Sequence, residues 1–449
     1  MSPDETVMHI LLATALILVV AHASGWLAQR LKQPYIVGQL IAGIALGPSL
    51  LGSAWPGGHT YLFPKEIDTA LTGFAQLALV LFLFAVGYEL DLKVLGDRAR
   101  SAVTVAVASF VVPMAAGSGC ALLFRDQLRD LGMPHLTPAQ VVFAGVALSI
   151  TAVPVLTAIV RENNMSHTVP GVVAVSAAGL LDVIGWTVLA GALLGGDSQG
   201  QSLSWGWRAL LAAGFVAVML VAARPVLRRL LWRTRMEPSL RLALLASFAV
   251  ASAAVTHALG LHVIFGALLA GAVVPREEDG TLDPDLLRAL HTVSYLFVPF
   301  FFVLSGKAVA LNSLDGTGWA VLAAVTVLAV TTKIGSSAAA ASLSGLDRGD
   351  AWTVGVLMST RGLTELIALN AGYQAHLLSK PLYTVLVFMA LATTLFTQPL
   401  LILVRRWADR DNLDNLGNRN DNGLPAPPVE PALRHPQDGA PTAPAADVG

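Results

Sequence analysis

Long uncharged stretches separated by short charged loops set the pattern of this chain. They run over 7–29, 34–54, 70–88, 101–124, 138–160, 168–194, 207–223, 242–260, 262–275, 289–306, 317–342, 351–374 and 381–404. Most approach the roughly 20 residues that carry a helix across a bilayer. The pattern therefore predicts an all-α polytopic membrane protein with about thirteen spanning helices, of which 207–223 and 262–275 are short. Val7 to Gln29 follows the acidic pair Asp4 and Glu5 and precedes Arg30 and Lys32, so it reads as the first span and not as a secretory signal.

Basic residues test this count. With the N-terminus outside, the cytoplasmic loops carry Arg30, Lys32, Lys93, Arg98, Arg100, Arg161, Arg224, Arg228, Arg229, Arg233, Arg235, Arg241, Arg276, Arg288, Arg348, Arg405, Arg406 and Arg410. The opposite side carries Lys65, Arg125, Arg129, Arg208, Lys307 and Lys380. This asymmetry obeys the positive-inside rule with the parity of thirteen spans. A multi-pass protein of the inner (plasma) membrane follows, N-terminus outside and C-terminus cytoplasmic. Residues 1–406 form the transmembrane domain. Beyond Arg406 the chain turns polar and Pro-rich, and 407–449 reads as a short disordered cytoplasmic tail.

Composition agrees: 55% of residues are apolar and 13% charged, against about 25% charged in a soluble domain. The mean hydropathy is +0.67. A surface so poor in charge must face lipid. Cys120 is the single cysteine, which excludes an internal disulfide and a thiolate metal cluster.

Four charged side chains fall clearly inside predicted spans, away from their ends: Asp182, Lys333, Arg361 and Glu365. A charge at mid-bilayer costs on the order of 3 kcal/mol on insertion scales and survives facing water, an ion or another charge. Arg361 and Glu365 are four apart and share a helix face, which also suits a structural ion pair. Asp182 stands alone near the middle of its span. The fifth span reads Ala147-Leu148-Ser149-Ile150-Thr151-Ala152-Val153-Pro154. Proline removes an amide donor and disturbs the preceding turn. The freed carbonyls and the Ser149 and Thr151 hydroxyls suit a hard monovalent cation, and local sequence equally allows a simple kink. The twelfth span offers a counterpart in Ser359-Thr360-Arg361-Gly362-Leu363-Thr364-Glu365. Two interrupted helices in corresponding halves point to a midplane transport site.

Several blocks carry a family resemblance. Gln33-Pro34, Ile36-Val37-Gly38 and Ile41 to Gly52 form the first, and Phe84 to Asp91 the second. Ala147 to Pro154, Asp182-Val183-Ile184-Gly185-Trp186, Gly260-Leu261-His262 with Val263 to Pro275, Lys333, and Met358 to Gly372 complete the set. Across about 8–405 the chain resembles the monovalent cation:proton antiporter-2 family. The resemblance implies inverted repeats with crossed discontinuous helices, in which a core moves against a dimerisation domain, and a homodimer. It implies that Asp182 alternately binds a proton and a cation, while Arg361 and Glu365 support the crossing. Electrogenic members carry paired acids. Leu181 stands where the first would be, so one-for-one exchange is expected, and Lys333 is left to approach Asp182, pair elsewhere or serve structure.

The expected activity is secondary active Na+ or K+/proton antiport across the bilayer, the cation bound at Asp182 with Ser149 and Thr151. Lys333, Arg361 and Glu365 are supporting charges; Pro154, Ser359, Thr360 and Gly362 mark the interruptions. An ion-coupled symporter or a non-transporting ion sensor is the alternative. No cofactor, catalytic residue or nucleic-acid partner is expected, because His257 and His262 lack the carboxylate a metal hydrolase needs.

Overall fold

The computed structural model describes residues 1–31, 33–89, 99–194, 205–233, 237–259, 263–276, 282–309 and 314–421. Lys32, Lys93, Arg98, Arg235, His262 and the tail from 422 onward lie outside the described residues. The described chain is helical: α1 (Pro3–Arg30), α2 (Tyr35–Leu46), α3 (Leu51–Ala54), α4 (Pro56–Leu62), α5 (Asp68–Glu89), α6 (Ala99–Leu123) and α7 (Arg125–Asp130). Then follow α8 (Pro138–Ser149), α9 (Val153–Glu162), α10 (Val169–Leu194), α11 (Trp205–Val218), α12 (Arg224–Arg233), α13 (Pro238–Ala258) and α14 (Val263–Val273). The last are α15 (Pro284–Ala308), α16 (Gly316–Leu343), α17 (Arg348–Met358), α18 (Leu363–Gln374) and α19 (Lys380–Asp421). A π turn, Met219–Ala223, joins α11 to α12.

Among the described residues, 11 helical stretches are long and apolar enough to cross a membrane. Two stretches expected to span fall below that length for different reasons: α14 has 11 residues, and the twelfth span is divided into α17 and α18 by the non-helical 359–362. The final helix continues to Asp421, past Arg406, where the membrane domain was expected to end.

Starts and stops follow local chemistry. Thr137 and Gln140 form a capping box at α8 with Pro138 in its first turn, and Asp283 and Asp315 cap α15 and α16 through their side chains. Lipid-facing sides are apolar and buried sides partly polar, the reverse of a soluble helix. In α6, Val103, Val107 and Val111 are exposed while Ser101 and Ser109 are buried.

The helices pack in two groups. α6, α8, α9, α10 and α16 to α19 contact one another, while α1, α2, α5, α13, α14 and α15 form the second set. α11 touches α10, and the π turn after it touches α14, so this rod links them. Within the first group the pattern repeats: α6, α8 and α10 are in mutual contact, as are α16, α17 and α19. Interhelical distance in the second group depends on glycine. A Cβ on Gly306 would lie 2.2 Å from the carbonyl carbon of Gly43, and one on Gly43 2.2 Å from the Phe302 oxygen. Both opposing groups are backbone and cannot rotate away. Gly306→Leu should push α2 from α15 and destabilise the purified protein by at least the 1–3 kcal/mol of ordinary overpacking. An unchanged melting temperature in detergent would refute this close approach.

Candidate functional site

α8 stops at Ser149, and 150–152 are extended before α9 begins. Pro154 sits in the first turn of α9, where a missing N–H costs nothing. It therefore starts the second half-helix instead of kinking a continuous one. α17 stops at Met358, and Ser359, Thr360, Arg361 and Gly362 form the second interruption. The two breaks cross. The Ala152 amide donates to the Thr360 carbonyl at 3.1 Å, and the Thr151 hydroxyl donates to the Met358 carbonyl at 2.9 Å. Gly362 lies against Val155, whose Cγ2 would be 2.6 Å from an added Cβ, so a side chain there would force Val155 to move.

Ending a helix in the membrane leaves its last carbonyls without intrahelical donors. At α8 these are taken by two cations of the protein itself. The Arg361 guanidinium donates to Ala147 O and Leu148 O, each at 2.7 Å. Lys333, on α16, donates from Nζ to Ser149 O and, at 2.9 Å, to Ser109 O. Positive charge at a helix C-terminus is also favoured by the helix dipole. The freed carbonyls of the fifth span, for which the sequence allowed cation ligation and a simple kink equally, accept from these side chains. Glu365 balances the charge from the first turn of α18, its Oε1 2.6 Å from Arg361. All three charged side chains are essentially inaccessible. The end of α17 is satisfied by neutral donors, the Thr151 hydroxyl on Met358 O and the Ser359 and Thr360 amides on Val356 O and Leu357 O, and within the break Thr394 donates to Arg361 O at 2.8 Å.

Asp182 is different. It lies in the middle of α10 and is 2% exposed, and neither carboxylate oxygen has a hydrogen-bond partner. Lys333 is directed to backbone carbonyls and forms no ion pair with it. Gly185, one turn on, brings α10 to the break: its virtual Cβ would be 3.7 Å from Ile150. Leu181 is fully buried in an apolar cluster with Val155, Ala177 and Met358.

The Ser149 hydroxyl donates to Phe110 O at 3.0 Å and Gly145 O at 2.8 Å. Like Thr151, it spends its proton on backbone but keeps oxygen lone pairs. The crossing thus unites Ser149, Thr151, Pro154, Ser359, Thr360, Arg361, Gly362 and Glu365, with Lys333 bracing it. Sequence reasoning did not single out Ser337 or Thr364. Both are buried with unpartnered hydroxyls, and Ser337 was findable one turn from Lys333 on α16. His257, in the last turn of α13, is exposed.

The chain is similar to known proteins in sequence and in fold. The chain is 35% identical over 410 residues to Cation/H(+) antiporter 19 of Arabidopsis thaliana, covering 89% of this chain and 50% of that one. It is 30% identical over 415 residues to K(+)/H(+) antiporter 1 of Saccharomyces cerevisiae, covering 90% and 47%. It is 29% identical over 409 residues to Na(+)/H(+) antiporter NhaS4 of Synechocystis sp., covering 89% and 98%. The chain spans about half the length of the plant and yeast relatives. The fold is similar to that of the sodium proton antiporter MjNhaP1 from Methanocaldococcus jannaschii, with a TM-score of 0.64 at 14% identity over 90% of this chain and 97% of that one. The family described as sodium/hydrogen exchanger, transmembrane, matches residues 15–403, and the chain belongs to that family.

Proposed function

We propose that this protein is a secondary active antiporter that exchanges an alkali cation, Na+ or K+, for a proton at Asp182. The observation that carries the reading is the pair of unpartnered carboxylate oxygens deep in α10. A buried carboxylate without donors is costly while charged. A proton or a monovalent cation each removes that cost, and the two compete for the same oxygens. Ser149 and Thr151 stand at the adjacent break and offer hydroxyl oxygens to the cation.

Coupling requires that the protein change access when the site is neutralised and resist changing when it is bare. The two packed helix groups supply the element: the group holding the crossed breaks shifts against the other, which forms the homodimer. Arg361, Glu365 and Lys333 keep the crossing intact during that shift. The short α14 and the α17–α18 pair, added to the eleven longer stretches, complete thirteen spans in the plasma membrane, with the N-terminus outside and the C-terminus cytoplasmic. A reporter inserted between Arg233 and Glu237 should be cytoplasmic, and one near Gly57 external. Finding both on one side would overturn the thirteen-span topology.

Leu181 leaves a single free carboxylate, so each cycle carries one proton one way and one cation the other. The test is paired flux in proteoliposomes, with Na+ or K+ gradients driving proton movement while membrane potential is clamped at a series of values. Cation-driven proton flux is expected, with a reversal point independent of voltage. A reversal point that moves with voltage would disprove one-for-one exchange. Absence of flux with either ion would leave the chain as an ion-binding sensor.

A further inference from the structure

Two features on the rod that links the helix groups lie outside the exchange site. The first is a half-open apolar cavity of about 330 Å³ between α10, α11 and α14, with Val183, Trp186, Phe215, Val216, Leu268 and Leu269 in its walls. The second is basic. Beyond the π turn, α12 opens on Arg224 and exposes Arg224, Arg228 and Arg229, while Leu227 between them is buried. Nine residues separate Phe215 from Arg224, about 13 Å along a helix. Half of a roughly 30 Å hydrocarbon core is about 15 Å. The cavity therefore lies at the depth reached by the acyl chain of a lipid whose headgroup rests on the arginines.

We infer that the cavity and the arginines form one binding site for an anionic glycerophospholipid of the arginine-side leaflet. Arg224 holds the phosphodiester, Arg229, on another face of α12, adds positive charge at the same membrane level, and one acyl chain fills the space between α10, α11 and α14. Guanidinium suits a phosphate oxygen pair through its fork of donors. The chain contributes contact but no selectivity, since lipid tails are as apolar as the walls. Headgroup charge selects the lipid, at about fivefold per arginine. α10 belongs to the group with the crossed helices and α14 to the other. A chain held between them favours the arrangement in which the cavity is open, so this lipid biases the relative position of the two groups. The inference rests on the fold and is independent of which ion Asp182 carries.

The test uses the full chain in nanodiscs containing phosphatidylglycerol or phosphatidylcholine bearing a photoactivatable group at mid-chain. The phosphatidylglycerol probe should label segments 212–216 and 265–272 at least tenfold more than the phosphatidylcholine probe at equal mole fraction. R224Q/R229Q should abolish that preference, while labelling of the lipid-facing valines of α6 stays constant and reports intact folding. Ala212 and Ala272 also line the cavity; A212F/A272F should remove labelling of both segments with the arginines intact. Equal labelling by the two lipids, or a preference that survives R224Q/R229Q, would identify ordinary lipid solvation and overturn the site.

Discussion

Asp182→Asn abolishes cation/proton exchange, lowering flux in reconstituted vesicles by at least about 100-fold, while the protein inserts and folds as before. The amide matches the carboxylate in shape, so α10 keeps its packing against the break at Ile150. It carries no charge for a cation to neutralise and exchanges no proton in the accessible range. Asn should be tolerated structurally because the native carboxylate makes no protein hydrogen bond that would be lost. Removing a mid-membrane charge relieves a cost on the order of 3 kcal/mol, so the melting temperature should hold or rise. The pairing of these outcomes is diagnostic. A structural aspartate would lose stability on substitution, whereas a transport aspartate loses turnover alone. Stabilisation by added Na+ or K+ should also vanish, since a ligand stabilises only the state it binds. Exchange above about a tenth of the wild-type rate in purified D182N vesicles would place the carrier group elsewhere.

The sequence made some of this architecture legible and hid the rest for identifiable reasons. Hydropathy marked the spans because lipid demands long apolar stretches wherever they lie. Asp182, Lys333, Arg361 and Glu365 stood out because charge in such stretches is rare. Partners were harder to read. Ser149 and Thr151 were legible as oxygen ligands, but the acceptors of their protons, Phe110 O, Gly145 O and Met358 O, were not, because two of these are remote in sequence. Lys333 could have been assigned to Asp182 on charge alone. Its actual acceptors are the Ser149 carbonyl, free because α8 ends there, and the Ser109 carbonyl of α6, whose intrahelical donor is missing at Pro113. Pro154 signalled an interruption correctly, but whether a proline kinks one helix or starts another depends on Ala152 and the crossing strand from α17. Length marked 262–275 as short, as α14 is, while the division of the twelfth span into α17 and α18 was legible in its Ser-Thr-Arg-Gly run and not in its hydropathy.

Arg361→Met should be the most destabilising single substitution at the crossing, by about 3–5 kcal/mol, the cost of breaking a buried ion pair from one side. Methionine fills much of the same volume, so the loss is electrostatic more than steric. Three acceptors are stranded together: Glu365 Oε1, Ala147 O and Leu148 O. The carboxylate is the costliest of these, being fully buried with its Oε2 already unpartnered. Glu365→Gln should cost less, because Arg361 keeps both α8 carbonyls and an amide oxygen can still accept its bond. The double variant R361M/E365Q should then regain part of what R361M loses, since the uncompensated charge is gone while the α8 carbonyls remain uncapped. Arg361→Lys should rescue little, because an ammonium lacks the planar fork that reaches two carbonyls and a carboxylate together. Melting temperatures of the wild type and these four variants in one detergent measure this directly. A drop of about 5 °C is expected for R361M, with partial recovery in the double variant. Additive losses in R361M/E365Q would mean that the two side chains act independently, and a stable R361M would show that α8 needs no cation at its end.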